Sequence, residues 1–211
     1  MSGIDDSIDT QGHDRQALVA RVKGILLSPK SEWSVIDGES ATVGQLYVGY
    51  IAILSAIPPI AAFIGYSVFG ISIPFIGTYR VPMGSALTSA ITQYVLGLAG
   101  CYALALIIDG LAPTFAGQKN LIQALKVAAY SATASWLAGI FALVPGLRLL
   151  GLLGLYSLYL LYLGLPVLMK SPKDKAMGYT VVVVVCAIVI FWVIAAIGGM
   201  FISRPPITGL G

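Results

Sequence analysis

The chain has 211 residues, of which 58% are hydrophobic and only 10% charged. Soluble domains carry about 25% charge, so this composition is that of an integral membrane protein. The net charge is +3 and the basic residues are dispersed, which excludes nucleic-acid binding.

Residues 1–14 are acidic, polar and poor in aromatics, which predicts a disordered tail. They lack the apolar run of a cleavable signal peptide, so none is expected. The sole histidine, His13, falls in this tail, and no Cys/His cluster follows it. Neither a metal site nor a cofactor is therefore expected. Cys101 and Cys186 both fall in apolar segments and read as buried thiols acting as small hydrophobes.

Residues 15–42 form a distinct amphipathic segment at the cytoplasmic interface. Leu18, Val22, Ile25 and Leu26 follow helical spacing, with Arg15, Arg21 and Lys23 interspersed. That pattern predicts a basic amphipathic helix lying on a membrane surface. Ser28-Pro29 ends it, and Pro29 opens a second short helical turn carrying Trp33, a residue suited to headgroup level. Thr42 and Gln45 then fit a capping box at the start of an apolar helix.

Five segments are long enough to span a bilayer, which takes about 20 apolar residues. They cover 43–66, 84–109, 120–144, 147–169 and 177–202, and 203–211 is a short C-terminal tail. The expected fold is thus an all-α integral membrane protein of five transmembrane helices, preceded by the interfacial helix. Pro58-Pro59 interrupts the first span. Only Pro145-Gly146 separates the third from the fourth, which makes them an antiparallel hairpin. Lysines and arginines set the orientation. Arg15, Arg21, Lys23, Lys30, Lys119, Lys170, Lys173 and Lys175 fall on one side, and Arg80, Arg148 and Arg204 on the other. The bias places the N-terminus in the cytoplasm and the C-terminus outside.

Charges at membrane depth are costly and mark functional candidates. Asp109 ends the second span, and Lys126 lies about two turns into the third, within reach of an interfacial partner. An Asp109–Lys126 pair is feasible, either as an ion relay or as an interhelical pair. Lys119, Gln123, Lys126, Tyr130 and Thr133 recur at three- and four-residue steps and share one helix face. That face either lines a polar path or packs helices through hydrogen bonds. Gln93 and Tyr94, midway along the second span, need partners in hydrocarbon and would find them there. The candidate polar cluster is therefore Gln93, Asp109, Gln123, Lys126 and Tyr130. Candidate lipid or partner contacts are Arg15, Arg21, Lys23, Trp33, Lys170, Lys173 and Lys175. Gly97/Gly100 and Gly151/Gly154 permit close helix contacts.

Enzyme signatures are missing. No Ser–His–Asp set can form around a tail histidine, and intramembrane aspartyl catalysis needs two interacting carboxylates. Catalysis by this chain is not expected.

Three stretches carry a resemblance: "ILLSPKSEWSVIDGE" (25–39), "GQKNLIQALKVAAYSATASWLAGIF" (117–141) and "LYLLYLGLPVLMKSPKDKAMGY" (158–179). They closely resemble the bacterial branch of the YIP family, named for Ypt/Rab-interacting proteins, over about 22–202. The resemblance implies five spans with a cytoplasmic N-terminus. It also implies a proline after the threonine of an "AYSxT" motif, where this chain has Ala134, so the third helix is expected to lack that kink. Eukaryotic members are linked to Rab GTPases, but fold likeness does not fix function. The expected role is a non-enzymatic inner-membrane protein that contacts the lipid bilayer, and other membrane proteins or its own copies. The alternative is a small transporter or channel whose path runs past Asp109 and Lys126.

Overall fold

The computed structural model describes residues 16–73 and 77–201. The acidic tail at 1–14, Arg15 and the tail at 203–211 lie outside the described residues. The chain opens with a helical hairpin of α1 (16–27) and α2 (Pro29–Gly38). Pro29 takes the first turn of α2, where its missing N–H leaves no bond unmade. Gly24 faces the Glu32 carboxylate so closely that a Cβ would collide with it.

The first long apolar helix, Val43–Phe69, starts at the expected capping box. The Gln45 N–H donates to Thr42 Oγ1 at 3.2 Å, and the Thr42 N–H to Gln45 Oε1 at 2.9 Å. The α-helix breaks at Ala56, just before a piece whose first turn holds Pro58 and Pro59. Neither proline can donate to the preceding turn, which interrupts the ladder. A two-stranded antiparallel hairpin, β1 (Ile71–Ile73) and β2 (Gly77–Tyr79), turns the chain. Gly70 enters it at φ 82°, where a Cβ would lie 2.8 Å from the Tyr79 carbonyl.

The second helix runs Met83–Leu111 and closes in a 3-10 turn through Phe115. The third segment is not one helix. It comprises Leu121–Ser131, Thr133–Ala138 and a 3-10 turn at Gly139–Leu143. Here the expectation of an unkinked helix is corrected. Ser131 Oγ donates to the Val127 carbonyl at 2.6 Å, and Thr133 Oγ1 to the Tyr130 carbonyl at 2.7 Å. Hydroxyls that bond back onto the preceding turn bend helices without any proline. Among the described residues four helices are long and apolar enough to cross a membrane: Val43–Phe69, Met83–Phe115, Gly146–Leu168 and Lys173–Gly199. The third segment, expected as a crossing of its own, does not join them because the break divides it.

The pieces pack through small residues. Gly139 lies against Pro58, where a Cβ would fall 2.6 Å from Cγ, and Gly65 abuts the Ala142 backbone. The third segment therefore runs beside the first helix along most of its length. Gly154 of the fourth helix lies against Ser135, whose Oγ bonds the Gly154 carbonyl at 3.0 Å and Ser157 Oγ at 2.8 Å. The fifth helix lies on the second, with Ile190 and Ile194 filling the space over Gly100. Gly97 and Gly151 have open space where a Cβ would stand. Tyrosines stitch the first two helices: Tyr47 donates to the Leu98 carbonyl at 2.8 Å and Tyr94 to that of Ala52 at 3.0 Å.

Candidate functional site

The polar face of the third segment is where the N-terminal hairpin docks. Lys126 is 2% exposed, deep in a segment otherwise rich in alanine. Its ammonium donates to the carbonyls of Ile36, at 2.9 Å, and Glu39, at 2.5 Å. These carbonyls belong to the C-terminal end of α2, where the last oxygens lack the usual i+4 donors, although the Ile36 carbonyl also accepts from the Glu39 N–H at 3.3 Å. They are also where the helix dipole concentrates negative potential, so a cation is favoured there.

Two further side chains hold the same turn. Gln123 Nε2 donates to the Asp37 carbonyl at 3.1 Å, and Lys170 Nζ pairs with Asp37 Oδ2 at 2.5 Å. One turn up α2, Trp33 is wholly buried. Its indole fills the space over Gly164, where a Cβ would lie 2.6 Å from Cζ2, and meets Tyr130 edge-on at 6.4 Å. Tyr130 also meets Tyr50 edge-on at 4.7 Å, and Tyr50 shares a 2.7 Å hydrogen bond with Thr133. The end of α1 is held in turn by Tyr156, which donates to the Leu26 carbonyl at 3.1 Å.

Arg21 closes the hairpin from above. Its guanidinium bonds the carboxylates of Glu32 and Glu39 and lies 5.6 Å from the Tyr130 ring centre. Burial pulls its pKa down, but the hydrogen bond to Glu39 and the charges of Glu39 and Glu32 outweigh this. The net shift is upward, so the guanidinium stays charged at every working pH.

The sequence cluster is thus divided. Gln123, Lys126 and Tyr130 come together beneath α2. Gln93 sits elsewhere, its Nε2 on Ser89 Oγ at 2.9 Å and its stem against Gly198. Ser89 Oγ itself donates to the Gly198 carbonyl at 3.0 Å, near the opposite end of the bundle. Asp109 forms no ion pair with Lys126 among the described residues, and its Oδ1 is buried without a hydrogen-bond partner. It lies beside Tyr179, which donates to the Ile108 carbonyl.

The surface contacts divide too. Trp33, expected as a lipid or partner contact, is corrected to a buried plug, because Gly164 leaves a socket for its ring. Arg21 and Lys170 are engaged within the chain. Lys23, Lys173 and Lys175 are exposed. The apolar side of α1 meets protein: Ile25 is wholly buried, and Leu18, Val22 and Leu26 pack on the same core. Sequence reasoning missed Glu32, Asp37, Glu39, Tyr50 and Gly164. The carbonyls that Lys126 binds carry no residue-type signal at all.

Helices of this length and apolarity, tied by tyrosine-to-carbonyl bonds and glycine contacts, define a multi-pass α-helical membrane protein. The Yip1 domain matches residues 23–194, and the chain belongs to this family. The inner membrane protein YohC of Escherichia coli K12 is 27% identical over 166 residues, covering 77% of this chain and 85% of YohC. YohC of Escherichia coli O6:H1 matches with the same identity and coverage. No solved structure matches the chain significantly.

Proposed function

We propose that this is a non-enzymatic protein of a bacterial cytoplasmic membrane that organises lipid or binds other membrane proteins. Its working surface is the helical hairpin held on the cytoplasmic end of the bundle. The observation that carries this reading is the use of Lys126. Its buried ammonium fixes α2 in place, at 2.9 and 2.5 Å from backbone oxygens. A transport path is not favoured, since Gln93 lies far along the bundle from Gln123 and Lys126 is committed to carbonyls.

In this reading five segments cross, the third as a broken helix, so residues 43–202 form the membrane domain and 15–42 the docked cytoplasmic segment. Two features support it. The third segment packs beside the first helix along most of its length. The Gln118 N–H also reaches the Met169 carbonyl at 2.7 Å, which brings the ends of the second and fourth helices to one side. Lys170 pairs with Asp37 on that same side, with Lys23, Lys173 and Lys175 exposed nearby in sequence. Basic residues facing an anionic leaflet gain about 1 kcal/mol each, which supports a cytoplasmic side for this end. The inner-membrane location follows the name of the relative YohC.

The test is crosslinking in native membranes followed by mass spectrometry. Wild-type protein should capture anionic lipid or a defined set of membrane proteins. A Lys23→Gln, Lys173→Gln, Lys175→Gln variant should lose most of that capture. Identical capture by both would reject the reading.

A further inference from the structure

We infer that the groove between α1 and the start of the first long helix binds an amine-bearing zwitterionic phospholipid. The inference rests on the membrane-surface reading above and adds a particular ligand class to it. The groove has a volume of about 800 Å³, within the range of small-molecule sites. Leu18 and Arg21 of α1 form one wall, and Gly44, Val48, Gly49 and Ile53 the other. Tyr130 and Glu39 also line it.

Its two ends differ in chemistry. The helix wall is apolar and open, with Val48 75% and Ile53 50% exposed. A Cβ at Gly44 or Gly49 would meet nothing within 4 Å, so the missing side chains leave that wall low. An acyl chain fits along it. The wall belongs to the first turns of a helix long and apolar enough to cross a membrane, and in the proposed topology its polar end lies at headgroup depth.

At the polar end stand Arg21 and Glu39. Arg21 there pairs with Glu32 and Glu39, and the Lys126 ammonium lies on the Glu39 carbonyl, so the four charges balance and a net-neutral headgroup is matched. The Glu39 side chain is 41% exposed and open to a further donor. A guanidinium has five N–H donors, and two carboxylate bonds leave others for a phosphate oxygen. A primary ammonium on Glu39 with its phosphate on Arg21 satisfies both charges. A wholly anionic headgroup brings no cation to the Glu39 carboxylate, and a quaternary ammonium has no N–H to donate.

The test is native mass spectrometry of the full chain. It is released from nanodiscs holding equal amounts of phosphatidylethanolamine, phosphatidylglycerol and phosphatidylcholine with identical acyl chains. Wild-type protein should retain phosphatidylethanolamine at least about fivefold over either competitor. Glu39→Gln should bring that preference down about fivefold, to near parity, the scale of one hydrogen bond. Gly49→Leu fills the groove without touching any charge, in space that is open, and should abolish retention with the fold intact. Equal retention of the three lipids, or a preference unchanged in both variants, would overturn the inference. Partner capture in native membranes that persists in Gly49→Leu leaves the proposed function standing, so the two failures are distinguishable.

Discussion

Lys126 shows how a buried cation can be a structural part. A lysine in apolar sequence suggests a relay, but its partners are backbone oxygens at the end of α2. Removing it leaves those carbonyls facing a hydrophobic gap, and hydrogen bonds to a charged group contribute about 1.5–3 kcal/mol each. Lys126→Met should therefore destabilise the docked hairpin by roughly 2–4 kcal/mol. Hydrogen exchange of the α2 amides would register this as accelerated exchange, with the Met83–Leu111 amides unchanged. Asp109→Asn should leave the α2 exchange unchanged, because Asp109 forms no ion pair with Lys126 among the described residues. An equal effect of the two substitutions would contradict these assignments. Trp33 is the apolar counterpart: Trp33→Ala empties the Gly164 socket and should cost about 3–5 kcal/mol, read from thermal unfolding in detergent.

At the scale of elements, close approach is set by glycines and helix direction by hydroxyls. Gly139→Ala pushes a methyl group into Pro58, the residue that opens the second piece of the first helix. Overpacking of this kind costs about 1–3 kcal/mol, so the melting temperature should fall clearly. Gly97→Ala, where a Cβ meets nothing, should raise stability slightly or leave it unchanged, since alanine is the better helix former. The break at Ala132 belongs to this scale as well. Ser131 and Thr133 satisfy carbonyls of the preceding turn, and Thr133 also holds Tyr50, so the bend is anchored to the first helix. Thr133→Val removes that anchor at little change in volume and should cost about 1 kcal/mol.

At the scale of the whole molecule, the proposed five-crossing arrangement makes a sharp prediction about its basic residues. With Cys101 and Cys186 replaced by alanine, Lys119→Cys and Lys175→Cys should be protected from a membrane-impermeant maleimide in intact cells. Arg80→Cys and Arg148→Cys should be labelled. Matching behaviour of positions 119 and 148 would mean that the third segment does not cross. Most of the membrane architecture was legible in the residues, because long apolar runs have few stable solutions in lipid. The capping box at Thr42 and the Pro58-Pro59 interruption were legible for the same local reason: cap and ladder chemistry acts within four residues. The polar stripe of the third segment was visible as a helix face, but its purpose was not. Its partners are carbonyls almost ninety positions away, Ile36 to Lys126, and a carbonyl has the same identity at every residue. Sequence alone therefore determined the membrane class and the long apolar helical segments, both set by composition and local periodicity. Only the tertiary structure decided that Lys126 caps α2 and does not meet Asp109, that Trp33 is buried in the bundle, and that α1 leaves a two-ended groove. Each of these depends on which distant surfaces touch, and local sequence does not encode that.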